Sequence, residues 1–330
     1  MGNGTILVTG GAGYIGSHVV RQLGERGENV VILDNLSTGF RDAVLHGTLV
    51  EGDTGDMALV ASLLEQHQID TVMHFAAHTI VPESVSNPLK YYRNNTANTR
   101  NLLECCQNAG VKHFVFSSTA AVYGEPADPN ITEASPTQPI NPYGMSKLMS
   151  EIMLRDLAAA CPMRHVILRY FNVAGCDPQG RIGQSTAKAT LLTKVAVEAA
   201  VGKRSQVSIF GTDYPTPDGT GIRDYIHVED LASAHLRALD YLRKGGESIT
   251  LNAGYGHGYS VREVLDMVGK VNGKPLTIVE EGRRAGDPAA LIAIAGKIRQ
   301  VLGWQPEYDN LEEIVRSALQ WERKLAAKNS

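Results

Sequence analysis

Residues 6–20 read Ile6-Leu7-Val8-Thr9-Gly10-Gly11-Ala12-Gly13-Tyr14-Ile15-Gly16-Ser17-His18-Val19-Val20, and this stretch sets the architecture that we predict for the chain. A short run of strand formers leads into a glycine-rich turn, which opens a segment with apolar residues at helical spacing. The order of strand, tight turn and helix directs free backbone N–H groups and a positive helix end at a diphosphate. Glycine is needed in the turn because side chains would obstruct that approach. The stretch therefore predicts a dinucleotide-binding unit.

A second buried-strand run, residues 30–33, ends in Asp34, which lies 18 residues after Gly16. A carboxylate at about this distance can bond the ribose hydroxyls of a dinucleotide, and its charge would repel a 2′-phosphate. We therefore predict NAD rather than NADP as the cofactor. A glycine-rich loop without a ligand is the alternative interpretation, and Asp34 argues against it.

Apolar runs and helix-like stretches alternate through the first half of the chain. Strands that are apolar throughout are typical of sheets covered on both faces, and alternation with helices is typical of parallel βαβ units. The runs are 71–76, 113–118 and 165–170, and the helix-like stretches are about 57–66, 89–108 and 143–160. The predicted fold is α/β, a doubly wound parallel sheet of the Rossmann type.

The second half of the chain differs in composition, with clusters of glycine, proline and polar residues at 175–184 and 211–221. We predict an NAD-binding domain over residues 1–174 and a smaller α/β substrate-binding domain over 175–330. Segments at about 224–256 have strand and helix patterns and are candidates to return to the first domain.

Composition and charge restrict the class of protein. The 330 residues are 43% hydrophobic and 20% charged, with a net charge of -4 and no stripe of Lys and Arg. Nucleic acid is therefore not an expected partner. The start of the chain has no basic segment followed by an apolar one, so we predict neither secretion nor a membrane span. The four cysteines lack metal-ligand spacing, which predicts reduced thiols in the cytoplasm and no metal site.

Tyr143 and Lys147 form the candidate catalytic pair. They follow Pro142, a residue common at helix starts, and their spacing of four puts both side chains on one helix face. A tyrosine pKa near 10 must fall by about three units for base catalysis, which requires roughly 4 kcal/mol. Lys147 and a cationic nicotinamide ring together could supply it. A chance pair is the alternative, but strand residues 117–119, which lie 24 residues upstream of the pair, place hydroxyls at the same sheet edge.

A family resemblance runs through the chain from about residue 5 to 305. The motifs TGGAGYIGSH, FSSTAAVYG, NPYGMSK, RYFNVAG, FGTDYPTPDGTGIRDYIHVEDLA and RRAGD occur in this order. Together they resemble the UDP-glucose 4-epimerases, also called UDP-galactose 4-epimerases, of the extended short-chain dehydrogenase/reductase superfamily. The glycine turn and the Tyr-x-x-x-Lys pair are signals of the superfamily, whereas the motif at 210–232 is more specific to the epimerases.

The resemblance implies a role for each matching residue. NAD-binding positions would be Gly10, Gly13, Tyr14, Ile15 and Gly16 at the diphosphate, Asp34 and Asn35 at the ribose, Asp53 and Thr54 at the adenine, and Phe75, Ala76, Asn94, Tyr143, Lys147 and Tyr170 along the rest of the cofactor. Catalytic positions would be Tyr143 as general base, Lys147 as its electrostatic partner and Thr119. Substrate-binding positions would be Thr119, Tyr143, Asn172, Arg223, Tyr225, Arg284 and Asp287.

The reaction that the resemblance implies is reversible C4 epimerisation of UDP-glucose and UDP-galactose through a transient 4-keto intermediate, with tightly bound NAD. It also implies a homodimer formed through the helices at 89–108 and 143–160. Three positions depart from the family pattern: Thr79 in a cofactor contact, Thr190 in an altered segment near the sugar, and Leu291 where bulk is thought to govern N-acetylated sugars.

Three alternative functions remain open at this stage. The first is an epimerase of another UDP-sugar, such as UDP-GlcNAc/GalNAc, UDP-xylose/arabinose or a UDP-uronate. The second is a nucleotide-sugar dehydratase or decarboxylase on the same scaffold. A 4,6-dehydratase needs an acid–base pair after Thr119, where this chain has Ala120 and Ala121, which cannot transfer protons. The third is a non-catalytic NAD-binding regulator, which would have no use for Tyr143 and Lys147.

Overall fold

The computed structural model describes residues 4–187, 189–284 and 287–328. The strands are β1 (Thr5–Thr9), β2 (Val30–Asp34), β3 (Thr48–Glu51), β4 (Ile69–His74), β5 (His113–Ser117), β6 (Asn130–Ile131), β7 (Arg164–Tyr170), β8 (Asn172–Ala174), β9 (Val207–Phe210), β10 (Ile222–Arg223), β11 (Tyr225–His227), β12 (Ile249–Ala253), β13 (Tyr259–Ser260), β14 (Ile278–Glu281) and β15 (Ala290–Ala293).

The α-helices alternate with the strands over the first half of the chain. They are α1 (Tyr14–Glu25), α2 (Met57–Gln66), α3 (Val81–Ser86), α4 (Pro88–Tyr91), α5 (Asn98–Asn108), α6 (Pro142–Ala160), α7 (Leu192–Ala200), α8 (Val228–Arg243), α9 (Val261–Asn272), α10 (Gly296–Leu302) and α11 (Leu311–Lys328). Short 3₁₀ turns occupy Arg41–Ala43 and Ala120–Tyr123, and a π-helical turn, Tyr92–Ala97, connects α4 to α5.

Seven parallel strands form the large sheet, in the order β12-β7-β5-β4-β1-β2-β3. The chain runs outward from β1 in one direction through β2 and β3, and in the other direction from β4. A crevice therefore opens beyond the carboxyl ends of β1 and β4, where doubly wound sheets bind ligands. The predicted Rossmann-type fold class is confirmed.

Alternate residues of the central strand pack on opposite faces of the sheet. Ile6 and Val8 of β1 belong to the core that contains α1 and α8, whereas Leu7 belongs to the core with α2 and α5. Both faces are covered, so the strands are apolar throughout, as the sequence pattern predicts. This packing fixes the ends of the strands that carry the site.

A second group of strands lies outside the large sheet. The strands β13-β10-β15-β6 form a four-stranded sheet, and β14-β9 and β11-β8 form parallel pairs. Strand β12, which lies within 224–256, instead pairs with β7 in the large sheet. The domain limits at 174 and 175 remain a prediction. Of the helices within the described residues, none has the length and apolar character to cross a membrane.

Candidate active site

The glycine turn between β1 and α1 is too tight for side chains at two of its positions. Gly10 has a φ of +71°, and a Cβ there would lie 2.5 Å from the backbone nitrogen of Ala76. A Cβ on Gly16 would lie 2.9 Å from the Cα of Gly11. At Gly13, the N-cap of α1, the described chain supplies no side-chain cap. The first N–H groups of α1 are therefore available to an anion, as NAD binding requires.

Asp34 ties the end of β2 to this turn. Its Oδ2 accepts the N–H of Ala12 at 2.9 Å, and its Oδ1 accepts the N–H of Leu36 at 2.9 Å. The carboxylate is buried at the carboxyl end of the strand. The uncapped helix end and this carboxylate fit the diphosphate and ribose of NAD.

The predicted adenine-end residues meet at the carboxyl ends of β2 and β3. Asp53 accepts hydrogen bonds from Asn35 Nδ2 at 3.0 Å and from Asn98 Nδ2 at 2.8 Å. Thr54, the next residue, is buried. Asn35, Asp53 and Thr54 are therefore brought together beside Asp34.

Three of the other predicted cofactor residues, Phe75, Asn94 and Tyr14, lie on different elements. Phe75 continues from β4, its N–H bonds to the carbonyl of Thr9, and its ring lies 4.8 Å from that of His235 on α8. Asn94 lies in the π-helical turn. The hydroxyl of Tyr14 donates to the carbonyl of Gly175 at 2.6 Å, so this side chain joins α1 to the segment after β8.

Tyr143 and Lys147 lie in the first two turns of α6, which begins at Pro142. The side chain of Asn141 caps this helix by accepting the N–H of Gly144 at 2.8 Å. Both side chains of the pair are buried. The ammonium of Lys147 donates to the carbonyl of Ser117 at 2.9 Å and lies 4.9 Å from the centre of the Phe116 ring.

Thr119 reaches Tyr143, the predicted general base, from the end of β5. Its side chain lies beside that of Tyr143 and acts to lower the pKa of the phenol, and its hydroxyl oxygen accepts the N–H of Ala121 at 3.1 Å. The ring of Tyr91 packs edge-on against that of Tyr143, with centroids 6.5 Å apart. The structure thus brings together the three predicted catalytic residues.

The pKa of Tyr143 is shifted in the opposite direction from the one that base catalysis requires. Burial raises the pKa of Tyr143 above its usual value, Tyr170 adds to the rise, and the side chain of Thr119 opposes it. Burial lowers the pKa of Lys147 to about 7, against the attraction of Glu151. The chain alone therefore does not acidify Tyr143, because desolvation of the phenolate outweighs the favourable contacts. The cationic nicotinamide ring is the remaining predicted source of that stabilisation.

The predicted UDP-binding residues form a cluster around one carboxylate. Arg284 bonds Asp287 through Nε at 2.9 Å and Nη2 at 2.8 Å, and Nη2 of Arg223 lies 3.6 Å from the same carboxylate. The Arg284 guanidinium also lies 4.6 Å from the centre of the Phe210 ring. The side chain of Arg223 is 16% exposed and that of Arg284 is 52% exposed. We call Arg223, Arg284 and Asp287 the arginine cluster.

Asn172 and Tyr225 are register partners in the parallel β8–β11 pair. Burial raises the pKa of Tyr225 to about 12. Tyr170, two residues before Asn172, accepts a hydrogen bond from Ser117 at 3.2 Å. These residues lie between the arginine cluster and the group formed by Tyr143, Lys147 and Thr119, which we call the catalytic corner because of the roles predicted for it.

The positions that depart from the family pattern lie in different surroundings. Thr79 is exposed in the loop before α3. Leu291 lies opposite Arg223 in the β10–β15 pair and packs against the apolar cluster that contains Phe171. Thr190 lies before α7, in a segment whose residue 188 is outside the described residues.

Sequence reasoning missed several residues that shape this site. Glu151 and Arg169 form a buried ion pair behind Lys147, and Phe210 lies under Arg284. The spacing of four between Lys147 and Glu151 was a usable signal, because it repeats that of Tyr143 and Lys147. The pairing with Arg169 had no local signal, since it joins α6 to β7.

Comparisons with known proteins agree with this geometry. The model of the NAD dependent epimerase/dehydratase family matches residues 6–254. A UDP-glucose 4-epimerase of Azospirillum brasilense is 57% identical over 321 residues, covering 97% of this chain and 92% of that protein.

Two solved structures extend the likeness. A UDP-glucose 4-epimerase from Brucella ovis in complex with NAD has a TM-score of 0.94 and 43% identity, covering 97% of this chain and 99% of that one. The UDP-Glc/GlcNAc 4-epimerase of Campylobacter jejuni has a TM-score of 0.87 and 52% identity, covering 98% of this chain and 100% of that one.

These matches extend over nearly the whole chain and include its glycine turn, its catalytic pair and most of its second half. The predictions of an enzyme of the epimerase type and of NAD as its cofactor are confirmed. The chain belongs to the NAD dependent epimerase/dehydratase family, as its resemblance to the UDP-glucose 4-epimerases predicted.

Proposed function

We propose that this protein interconverts UDP-glucose and UDP-galactose by inverting C4 through a transient 4-keto sugar. The observation that carries the proposal is the contact of Tyr143 with Thr119, beside Lys147, at the carboxyl edge of a sheet that begins with the glycine turn. A base and a second hydroxyl at this edge can address a secondary alcohol. The relatives named above carry out 4-epimerisation according to their names.

In this reaction Tyr143 takes the proton of the C4 hydroxyl and later returns it. Thr119 holds the phenol and the sugar hydroxyl in line, and Lys147 stabilises the negative charge that develops on the phenol oxygen. When bound, NAD would supply the redox chemistry at C4, as acceptor and later donor of the C4 hydrogen in the form of hydride. Burial of Tyr143 and Lys147 keeps water away from the proton transfer.

The arginine cluster would anchor the diphosphate of the UDP group. Guanidinium groups match phosphate oxygens, and a carboxylate such as that of Asp287 suits the hydroxyls of the uridine ribose. Inversion requires the keto sugar to turn over while its nucleotide stays fixed. Binding energy should therefore come from the nucleotide rather than from the hexose. We assign the remaining predicted substrate contacts to Asn172 and Tyr225, which adjoin Tyr170.

A second candidate is an epimerase that also accepts N-acetylated UDP-sugars. Leu291 has intermediate bulk and lies opposite Arg223, and the Campylobacter jejuni relative is named a UDP-Glc/GlcNAc 4-epimerase. A 4,6-dehydratase is disfavoured because Ala120 and Ala121, which follow Thr119, cannot transfer protons. A non-catalytic regulator would not need Tyr143 and Lys147 assembled with Thr119.

We also propose a homodimer in the cytoplasm, with NAD held by residues 1–174 and the UDP-sugar by residues 175–330. Exposed apolar side chains lie on neighbouring helices: Val85 on α3, Leu89 on α4, and Met149 and Ile152 on α6. A second copy would remove them from water. The four cysteines are free thiols, which is typical of a reducing compartment.

The test is to incubate the purified protein, without added NAD, with UDP-galactose and to identify the product by NMR. We expect UDP-glucose, and no stable 4-keto-6-deoxy sugar. Parallel reactions with UDP-GalNAc, UDP-xylose and UDP-galacturonate decide between the first candidate and the second. Absence of product from all four sugars, in protein shown to contain NAD, would rule out the proposal.

A further inference from the structure

Three consecutive residues at the end of β5 contact three side chains of α6 that are spaced four residues apart. The pairs are Ser117 with Lys147, Ser118 with Glu151, and Thr119 with Tyr143. The middle contact is a hydrogen bond of 2.5 Å from the Ser118 hydroxyl to Oε1 of the carboxylate. The contacts on either side of it belong to the catalytic residues. These contacts fix the position of the end of β5 relative to α6. Of the three helix residues, Glu151 lies farthest from the start of α6.

Glu151 is fully buried and has further partners. Its carboxylate accepts two hydrogen bonds from Arg169 on β7, at 3.0 Å to Oε1 and 2.6 Å to Oε2. Arg169 also donates to the hydroxyl of Tyr123 at 3.0 Å, and that hydroxyl donates to Asn252 on β12 at 2.7 Å. The carboxylate is thus fixed from α6, β5 and β7 at once.

Stability alone does not explain a buried ion pair at this place. Taking two charges out of water costs several kcal/mol per ion, and apolar residues of similar volume are often as stabilising. Lys147 is also buried, and Glu151 follows it by one helical turn. A negative group at this spacing favours the charged form of a desolvated ammonium. The mechanism proposed above needs that ammonium charged.

We propose that Glu151 is a positioning residue of the epimerase reaction, because it keeps Lys147 protonated and, through Ser118, holds Thr119 in register with Tyr143. The inference rests on the proposed function. Glu151 does not touch the substrate in this scheme and acts through its neighbours. The ion pair with Arg169 fixes the Glu151 carboxylate in a position from which it can both keep Lys147 protonated and bond Ser118.

The described residues around Lys147 include other titratable groups. Tyr143 lies on the same helix, Tyr170 bonds Ser117 from β7, and His74 faces the ammonium from β4. Burial lowers the pKa of His74 to about 3, and Lys147 adds to the effect, so this ring is neutral at working pH. Around Glu151 the charged neighbours are Arg169 and, at 3.5 Å, Arg155. Glu151 is therefore the carboxylate that acts on Lys147.

The experiment compares Glu151→Gln with the parent holoenzyme. The amide still accepts from Ser118 but carries no charge. We expect the Lys147 pKa, followed by NMR of protein labelled at lysine Cε, to fall by about one unit. The alkaline limb of kcat for UDP-galactose should move to lower pH by the same amount. Glu322→Gln removes a carboxylate that is equally buried and paired with Lys194, away from this corner, and should leave both readouts unchanged.

Two further variants test the inference if Glu151→Gln does not fold. Glu151→Gln/Arg169→Gln removes both charges of the ion pair, so that Arg169 is not left buried without its partner. Because a positive charge is removed as well, the Lys147 pKa should fall by less than in the single variant. Ser118→Ala keeps the charges and removes only the hydroxyl, so kcat should fall about fivefold with KM and the pH profile unchanged.

The inference is wrong if a folded charge variant titrates Lys147 at the parent pH, or if Ser118→Ala keeps the parent kcat. Ser118→Ala decides the matter alone if neither charge variant folds. The NMR titration needs no turnover, and the parent's activity is measured separately. Failure of the proposed function is thereby distinguished from failure of this inference.

Discussion

The catalytic corner and the arginine cluster differ in how much of their geometry the chain supplies by itself. Tyr143, Lys147 and Thr119 are buried, and a hydrogen bond joins Lys147 to β5. In the cluster, Arg284 is half exposed and bonds Asp287, a partner that a diphosphate would have to replace or share. The predicted catalytic residues are therefore held by the sheet and α6, whereas the predicted substrate-binding residues are held by ion pairs, one of which is half exposed.

The largest expected effect comes from the catalytic corner, with Tyr143→Phe. Loss of the proton-transferring hydroxyl should lower kcat for UDP-galactose about a thousandfold, since general acid–base catalysis contributes about 10²–10⁴. KM should change little, because UDP is held elsewhere. Tyr241→Phe, on α8 outside the site, is the matched control. If Tyr143→Phe kept the parent kcat, the corner would not be the catalytic centre.

A smaller effect is expected on the substrate side, with Arg223→Leu. A charged hydrogen bond is worth about 1.5–3 kcal/mol, so KM for UDP-galactose should rise about 30-fold with kcat nearly unchanged. Initial rates over a range of substrate concentrations separate the two parameters. Arg316→Leu removes an exposed arginine of α11 that pairs with Glu312 and should match the parent. A fall in kcat without a change in KM would contradict the assignment of Arg223 to binding.

The buried sheet should also lose stability in acid, whereas the exposed arginine cluster should not. Burial lowers the pKa of His74 to about 3 in the folded protein, below its unfolded value of 6.5. Stability from this group is complete above pH 6.5 and is lost as the pH falls toward 3, because the unfolded chain takes up the proton first. One proton corresponds to about 1.4 kcal/mol per pH unit.

His74→Asn keeps polar atoms near Thr9 and Thr99 but does not titrate. The free energy of unfolding, measured in denaturant between pH 6.5 and 4, should fall less steeply in this variant than in the parent. Equal slopes would mean that His74 is not the proton acceptor of the unfolding transition. His257→Asn, an exposed ring paired with Asp309, serves as the control and should leave the slope close to that of the parent.

The same difference between the two regions explains what the sequence could predict. The glycine turn, Asp34 and the Tyr143–Lys147 spacing are local patterns, and each follows from the periodicity of one helix or the end of one strand. Their outcome in the structure agrees with the prediction of a Rossmann-type sheet. The arginine cluster joins β10 to a loop more than 60 residues later, and only the family resemblance pointed to it.

Contacts between residues that are far apart in the sequence could not be predicted from local patterns. The bond between Glu151 and Arg169 connects α6 to β7. It leaves no periodic signal, because it depends on which elements become neighbours. The pKa of Tyr143 is a further case, since desolvation depends on the packing of Tyr91 and Tyr170 around it.

The smallest expected effect distinguishes the two arginines of the cluster. Arg284 is 52% exposed and Arg223 is 16% exposed, so water and salt screen the first more strongly. Exposed ion pairs are worth about 0.2–1 kcal/mol, and Arg284→Leu should therefore raise KM for UDP-galactose only about threefold. The rise should shrink further at high salt, whereas that of Arg223→Leu should persist. Equal effects at both positions would show that substrate binding buries Arg284. The arginine cluster would then close over the nucleotide when it binds, and its side chains would leave the positions described above.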